Sequence, residues 1–308
     1  MTDLRSALHD YLAIRRQLGF ELKTAGRLLE DYVDFMQRAG APAITSDLAV
    51  AWAKLPKDAR PYRWRQRLGM VRGFARYAST IDPRSEVPSE DLLPARRPRV
   101  APYLYSQAEI AALMQAARAL TPRLRAATFQ TLIGLIASSG LRAGEALGLD
   151  RADVDLKDGA LHVRAAKHSK QREVPLHDST TKALGEYSRL RDRYLPQPAT
   201  PAFFVSISGG RLANGAFNAT FATLIRQTGL EGRGERARPR PHDLRHTFAV
   251  RTLLEWYRAG VDVDAQLPLL STFLGHVDPV STYWYLQASP ELLAVACERL
   301  QRAGADPS

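Results

Sequence analysis

The sequence predicts a mainly α-helical protein with one small antiparallel β-sheet, an α+β chain in two domains. Apolar residues recur at helical spacing over most of the 308 residues. Short alternating segments broken by turn residues occur only around residues 153–176. A stretch with five prolines, IDPRSEVPSEDLLPARRPRVAP from Ile81 to Pro102, has neither period and reads as extended backbone between the two helical regions. Domain boundaries are placed at 1–95, a linker at 96–104, and 105–308.

Taking the elements in order, Leu4, Leu8, Tyr11 and Leu12 share one face of a first helix. Leu28, Leu29, Tyr32, Phe35 and Met36 share one face of a second. Thr45 and Ser46 are cap-like and open a short third helix, and a fourth runs from about Tyr62 to Ala78. Between Asp58 and Asp82 stand six arginines, Arg60, Arg63, Arg65, Arg67, Arg72 and Arg76, without one acid. Tyr62, Trp64, Phe74 and Tyr77 are interleaved with them. Such a run is either a solvated face over an aromatic core or a surface that tracks phosphates, and the missing acids favour the second. Arg96, Arg97 and Arg99 in the linker add a basic segment able to lie along DNA.

The second domain opens at Ser106, with Glu109 three residues on as its capping-box partner. Thr121 and Pro122 open another helix that ends around Ser139 and Gly140. In DVDLKDGALHVRAAKHSKQREVPL, Asp158 and Gly159 make one turn and KHSKQ caps the next hairpin. Helices resume near Ser179 and Asn214, the latter with an apolar face of Phe217, Phe221, Leu224 and Ile225. HDLRHTFAVRTLLEWYRAG, LPLLSTFLGH and PELLAVACERLQRA read as three more.

The net charge of +11 favours a polyanionic partner, because basic side chains on phosphates release condensed counterions. No apolar run approaches the roughly 18 residues of a membrane span. The opening MTDLRSALHD lacks the apolar core of a secretory signal, so a cytoplasmic protein is expected. A single cysteine, Cys297, leaves no internal disulfide and no multi-cysteine zinc site. No GxxxxGK loop and no compact acidic cluster for paired magnesium ions occur. HDLRH lacks the glutamate of HExxH and carries Arg245 between its histidines, so neither metal nor other cofactor is expected.

Four segments carry candidate chemistry: LRAGE with Arg142, AAKHSKQREVPL with Lys167, HDLRH with His242 and Arg245, and LGH with His276. Tyr285 follows His276 by nine positions. Singly each is ordinary: Arg142 could simply pair with Glu145, Lys167 be a turn lysine, His276 a helix cap and Tyr285 a packing residue. Physical chemistry gives the set a common purpose. Guanidinium groups from Arg142 and Arg245 can each hold phosphate oxygens in paired hydrogen bonds as charge builds on a phosphodiester under attack. A phenol has a pKa near 10, so its deprotonation needs help, for which His242 is the natural base.

In this order and spacing the segments resemble the tyrosine recombinase (phage integrase) family over about residues 104 to 302. The resemblance implies a catalytic recombinase domain behind a helical, SAM-like core-binding domain, with a C-terminal helix for protomer contacts. It assigns the nucleophile to Tyr285, the proton donor for the leaving hydroxyl to Lys167 on a mobile hairpin tip, and a hydrogen bond on the scissile phosphate to His276. It also implies double-stranded DNA with specific core sites as substrate, a homotetramer on DNA, room for accessory proteins, and integration, excision or transposition of a mobile element. With no arm-binding domain ahead of residue 1, recognition of core sites alone is expected. Type IB topoisomerases share this chemistry, and the LRAGE and LGH motifs set the chain apart from them. Two departures stand out. His242 and His276 lie 34 positions apart, more than the family usually shows, which we read as a longer loop or helix end near LLEWYRAGVDVDAQ. STYWYL also offers Tyr283, which on a helix would point roughly 200° away from Tyr285.

Overall fold

The computed structural model describes residues 3–93, 102–164, 171–197, 199–230, 238–275 and 292. The chain divides into two compact units, Met1–Arg99 and Val100–Ser308. Arg96, Arg97 and Arg99 lie outside the described residues.

Among the described residues the first unit has four α-helices, α1 (Leu4–Gln17), α2 (Lys23–Arg38), α3 (Ser46–Ala53) and α4 (Pro61–Ile81), and a short 3-10 turn at Glu90–Leu92. Local chemistry sets their starts. Thr45 caps α3, its side chain accepting from the Leu48 N–H at 3.3 Å, and Pro61 takes the first turn of α4, where its missing N–H costs nothing. Their apolar faces meet in one core around Leu8, Leu29, Tyr32, Met36, Trp52 and Phe74. Tyr32 and Trp52 pack edge to face at 5.1 Å, and the indole N–H donates to Asp31 at 3.0 Å.

In the second unit, α5 (Gln107–Arg118), α6 (Arg123–Ser139) and α7 (Ala143–Gly148) precede the sheet. The Ser106–Glu109 capping box forms in full, with bonds of 3.2 and 2.7 Å. α6 is the hub, packed against α5, against α8 (Asp178–Tyr194) and against α10 (Pro241–Arg258). It buries a broad face, from Leu124 and Phe129 to Ile133 and Ile136, wider than the stripe of a helix packed against one neighbour. The sheet has strands β1 (Val154–Asp155), β2 (Ala160–Val163) and β3 (Arg172–Pro175), antiparallel in sequence order, with Val163 opposite Arg172. α9 (Asn214–Gln227) buries Phe217, Phe221, Leu224 and Ile225.

The length between His242 and His276 is taken up by helix. α10 runs to Arg258, a short turn follows, and Asp262 caps α11 (Val263–Leu274), accepting from the Ala265 N–H at 3.2 Å. α11 thus begins four residues before the LPLLSTFLGH segment and carries Pro268 inside it. α10 and α11 share a second cluster with Leu253, Leu267 and Leu270, into which Leu292 also packs at 1% exposure.

Candidate active site

Arg142 sits at the start of a helix because the chain must turn there. Gly140 ends α6 in the left-handed region (φ +63), and a Cβ on it would come within 2.5 Å of Phe248 and 2.9 Å of Leu274. Leu141 is buried beside it, and Arg142 then caps α7. Arg245 lies in the second turn of α10, three residues beyond His242, so both project from the same side of the helix. Asp243 fixes that helix start: it is fully buried, accepts from the Arg240 backbone N–H at 2.9 Å and pairs with the Arg240 guanidinium at 2.9 Å.

These separated segments converge on the end of α11. Gly275 closes α11 in the left-handed region, and the last three carbonyls before His276 each accept from a different arginine. Arg172 Nε donates to Phe273 O at 2.8 Å, Arg245 Nη2 to Leu274 O at 2.7 Å, and Arg142 Nη2 to Gly275 O at 2.9 Å. Arg245 also donates to Gly140 O at 2.9 Å and is buried at 1% exposure. A helix C-terminus carries roughly half a negative charge, so this is a favourable seat for guanidinium groups. Three of them exceed that partial charge and leave a strongly positive site.

Glu145 offsets part of the excess. Its carboxylate is nearly buried and takes a two-pronged bond from Arg172 at 3.1 and 2.9 Å, one from Arg142 Nη1 at 2.8 Å, and one from the Arg142 backbone N–H at 3.0 Å. Burial by itself would raise its pKa, but the bonds from Arg172 and Arg142 outweigh it and hold the group below the usual carboxylate range. The pairing of Arg142 with Glu145 therefore coexists with the bond to Gly275 O, while 37% of the Arg142 side chain stays exposed. Arg245, in contrast, has its two terminal nitrogens on carbonyls.

His242 is exposed to solvent, and its ring meets His246 edge to face at 4.6 Å. Partial desolvation, followed by the charge of Arg245, lowers its pKa. It is therefore neutral and able to accept a proton at physiological pH. Lys167, His276, Tyr285 and Tyr283 lie outside the described residues. Arg164 and Gln171 flank segment 165–170, which holds Lys167, and Gly275 adjoins His276. Arg164 is held by Asp150 at 2.9 Å and Asp153 at 2.8 Å. Among the described residues no cluster of three or more His, Cys, Asp or Glu could hold a metal, and no helix is long and apolar enough to cross a membrane.

Arg172 escapes the sequence reading, and Glu145 enters it only as a salt-bridge partner. The available sign was strand alternation: Arg172 shares a face with buried Val174, an unusual place for a guanidinium without a task. In the first unit the arginine run is of two kinds. Arg60, Arg63 and Arg76 are exposed and Arg65 half-buried, none with an ion-pair partner among the described residues. Arg67 is different. It stacks on the Trp52 ring at 3.7 Å, donates to Trp52 O at 3.2 Å and lies 3.7 Å from Asp31. Arg72 sits 3.3 Å from Glu90 with 16% of its side chain exposed.

The phage integrase family model matches residues 104–291. The Sinorhizobium fredii protein y4rB, which bears the name integrase/recombinase, is 45% identical over 312 residues, covering 99% of each chain. Tyrosine recombinase XerC of Chlamydia trachomatis is 31% identical over 74% of this chain and 67% of its own. Among solved structures, the Tn1549 transposon integrase in complex with transposon right end DNA superposes with a TM-score of 0.67 at 14% identity, covering 99% of this chain and all of that one.

Proposed function

Because this chain belongs to the phage integrase family of tyrosine recombinases, which carry out site-specific DNA recombination, we propose that it cuts and rejoins DNA through a 3′-phosphotyrosyl bond on Tyr285. The supporting observation is the seating of Arg142 and Arg245 on neighbouring carbonyls at the foot of α11, one residue ahead of His276, with neutral His242 beside them. The two guanidinium groups stabilise charge on the nonbridging oxygens of the scissile phosphate, and His276 adds a hydrogen bond. His242 takes the phenolic proton of Tyr285 as its oxygen bonds to phosphorus. The bond from phosphorus to the 5′ oxygen breaks, and Lys167 supplies that oxygen with its proton. One ester replaces another, so the reverse attack by a 5′ hydroxyl rejoins the strand without an external energy source.

The substrate is double-stranded DNA with core sites, and exchange between two duplexes takes four protomers, one for each cut. The structural neighbour's capture with a transposon end accords with a role in integrating, excising or transposing a mobile element. Arg60, Arg63, Arg65 and Arg76 supply phosphate contacts from the first unit, with Arg96, Arg97 and Arg99 in the linker. A nicked suicide substrate tests the chemistry. The wild-type protein traps a covalent adduct that peptide mass spectrometry locates on Tyr285; Tyr285→Phe binds DNA and forms none, while Tyr283→Phe still does. An adduct on Tyr283 would overturn the assignment. Exchange between two sites, as opposed to supercoil relaxation alone, separates a recombinase from a topoisomerase.

A further inference from the structure

We infer that Arg172 is a positioning residue for the phosphate-binding arginine Arg142, and that through it the strand leading out of segment 165–170 is tied to the catalytic centre. This rests on the reading of the site as a DNA strand-transfer centre.

The geometry makes Arg172 a three-way strut. From the first residue of β3 its Nε reaches Phe273 O, 101 positions away, while its two terminal nitrogens grip both oxygens of Glu145, 27 positions away. Glu145 in turn holds Arg142 through side chain and backbone. The far terminal nitrogen of Arg142 lands on Gly275 O, two residues beyond the carbonyl that Arg172 holds. The ring of contacts is thus closed: Arg172 to Glu145, Glu145 to Arg142, Arg142 to Gly275, and back along α11 to Arg172. The strut is also fitted sterically. A Cβ on Gly275 would lie 2.5 Å from Arg172 Nη1 and 2.8 Å from its central carbon, so the guanidinium occupies the space that any other residue would fill.

Arg172 spends Nε and both terminal nitrogens on acceptors within the protein, so it acts through the groups it holds. A planar fork can serve three acceptors at fixed angles, which a lysine ammonium on its flexible stem cannot do. Losing it would leave the Glu145 carboxylate buried with one partner fewer and free Arg142 to follow Glu145 off the phosphate. Because β3 carries the strut, displacement of the hairpin and displacement of Arg142 become one movement.

The test is a double-mutant cycle on single-turnover cleavage of a suicide substrate at saturating DNA, read as adduct formed over time. Arg172→Met keeps length and apolar bulk. It is expected to slow cleavage about 100-fold, the scale of a small misplacement of a catalytic group, with DNA affinity within about 2-fold of wild type. On an Arg142→Ala background the same change should cost less than about 3-fold, because the group it positions is gone. A purely structural role would multiply in full on both backgrounds and overturn the inference, as would Arg172→Met cleaving within about 3-fold of wild type. If Arg172→Met does not fold, Glu145→Gln, which preserves shape, is read in the same cycle against the same two outcomes. Failure of the wild-type protein to form any adduct would instead refute the underlying reading of the site.

Discussion

Gly140→Ala separates two ways in which the turn before Arg142 is held. The backbone there has φ +63, and leaving an L-residue in that region costs about 1–2 kcal/mol. The added methyl would also stand 2.5 Å from Phe248 and 2.9 Å from Leu274, side chains packed between α10 and α11. Overpacking of that kind adds about 1–3 kcal/mol, for an expected loss of about 2–5 kcal/mol. Gly260→Ala provides the control, since φ is +73 there and nothing lies within 4 Å of the new methyl, leaving only the backbone part of about 1–2 kcal/mol. Native-state hydrogen exchange of α6 and α10 amides reads the second unit by itself. Gly140→Ala and Gly260→Ala falling within about 0.5 kcal/mol of each other would refute the claim that the turn is pressed against Phe248 and Leu274.

The pKa of His242 is lowered on folding, so the folded protein binds fewer protons than the unfolded chain as pH drops below the ordinary imidazole value of about 6.5. Stability is therefore complete above that pH and lost as the pH falls through the folded pKa. His242→Gln should flatten this part of the melting profile between pH 8 and 5, and equal acid sensitivity in both proteins would contradict it. Replacing Arg60, Arg63 and Arg65 together by Ala should reduce the slope of DNA affinity against salt by roughly 0.9 per lost phosphate contact; an unchanged slope would move the binding face elsewhere. Arg67→Ala should instead destabilise the first unit by about 1–3 kcal/mol, because it strips a stacked guanidinium from Trp52, and a melt unchanged from wild type would count against that packing. Lys167→Ala should slow cleavage of an ordinary substrate far more than one with a 5′-bridging phosphorothiolate, whose sulfur leaves without a proton; equal losses would remove Lys167 as the acid.

Features written in short stretches of sequence were legible. The Ser106–Glu109 box, the end of α6 at Gly140 and the apolar face of α9 each depend on residues a few positions apart, and each forms as read. The start of α11 was not legible, since Pro268 looks like a helix opening, whereas the cap is Asp262 and the helix absorbs the proline in its second turn. Among the catalytic candidates, chemistry and order pointed to Arg142, His242 and Arg245. What sequence spacing could not show is that arginines 142, 172 and 245 address successive carbonyls, because those contacts span 133, 101 and 29 positions. Likewise the acid-free run gave one property to arginines that the helix distributes over different faces, turning Arg67 inward while Arg63 and Arg76 face water.

The three carbonyls at the end of α11 also bear on how this protein is made. Arg142, Arg172 and Arg245 all leave the ribosome before Phe273, Leu274 and Gly275, so each must wait for the acceptors that orient it. A nascent chain can fold the first unit and much of the sheet while its guanidinium groups remain unaligned. A chain synthesised only as far as α10 would carry the charge of these arginines without the carbonyls that orient them. In this order of synthesis, the three arginines acquire their common alignment only once the chain has been made through Gly275.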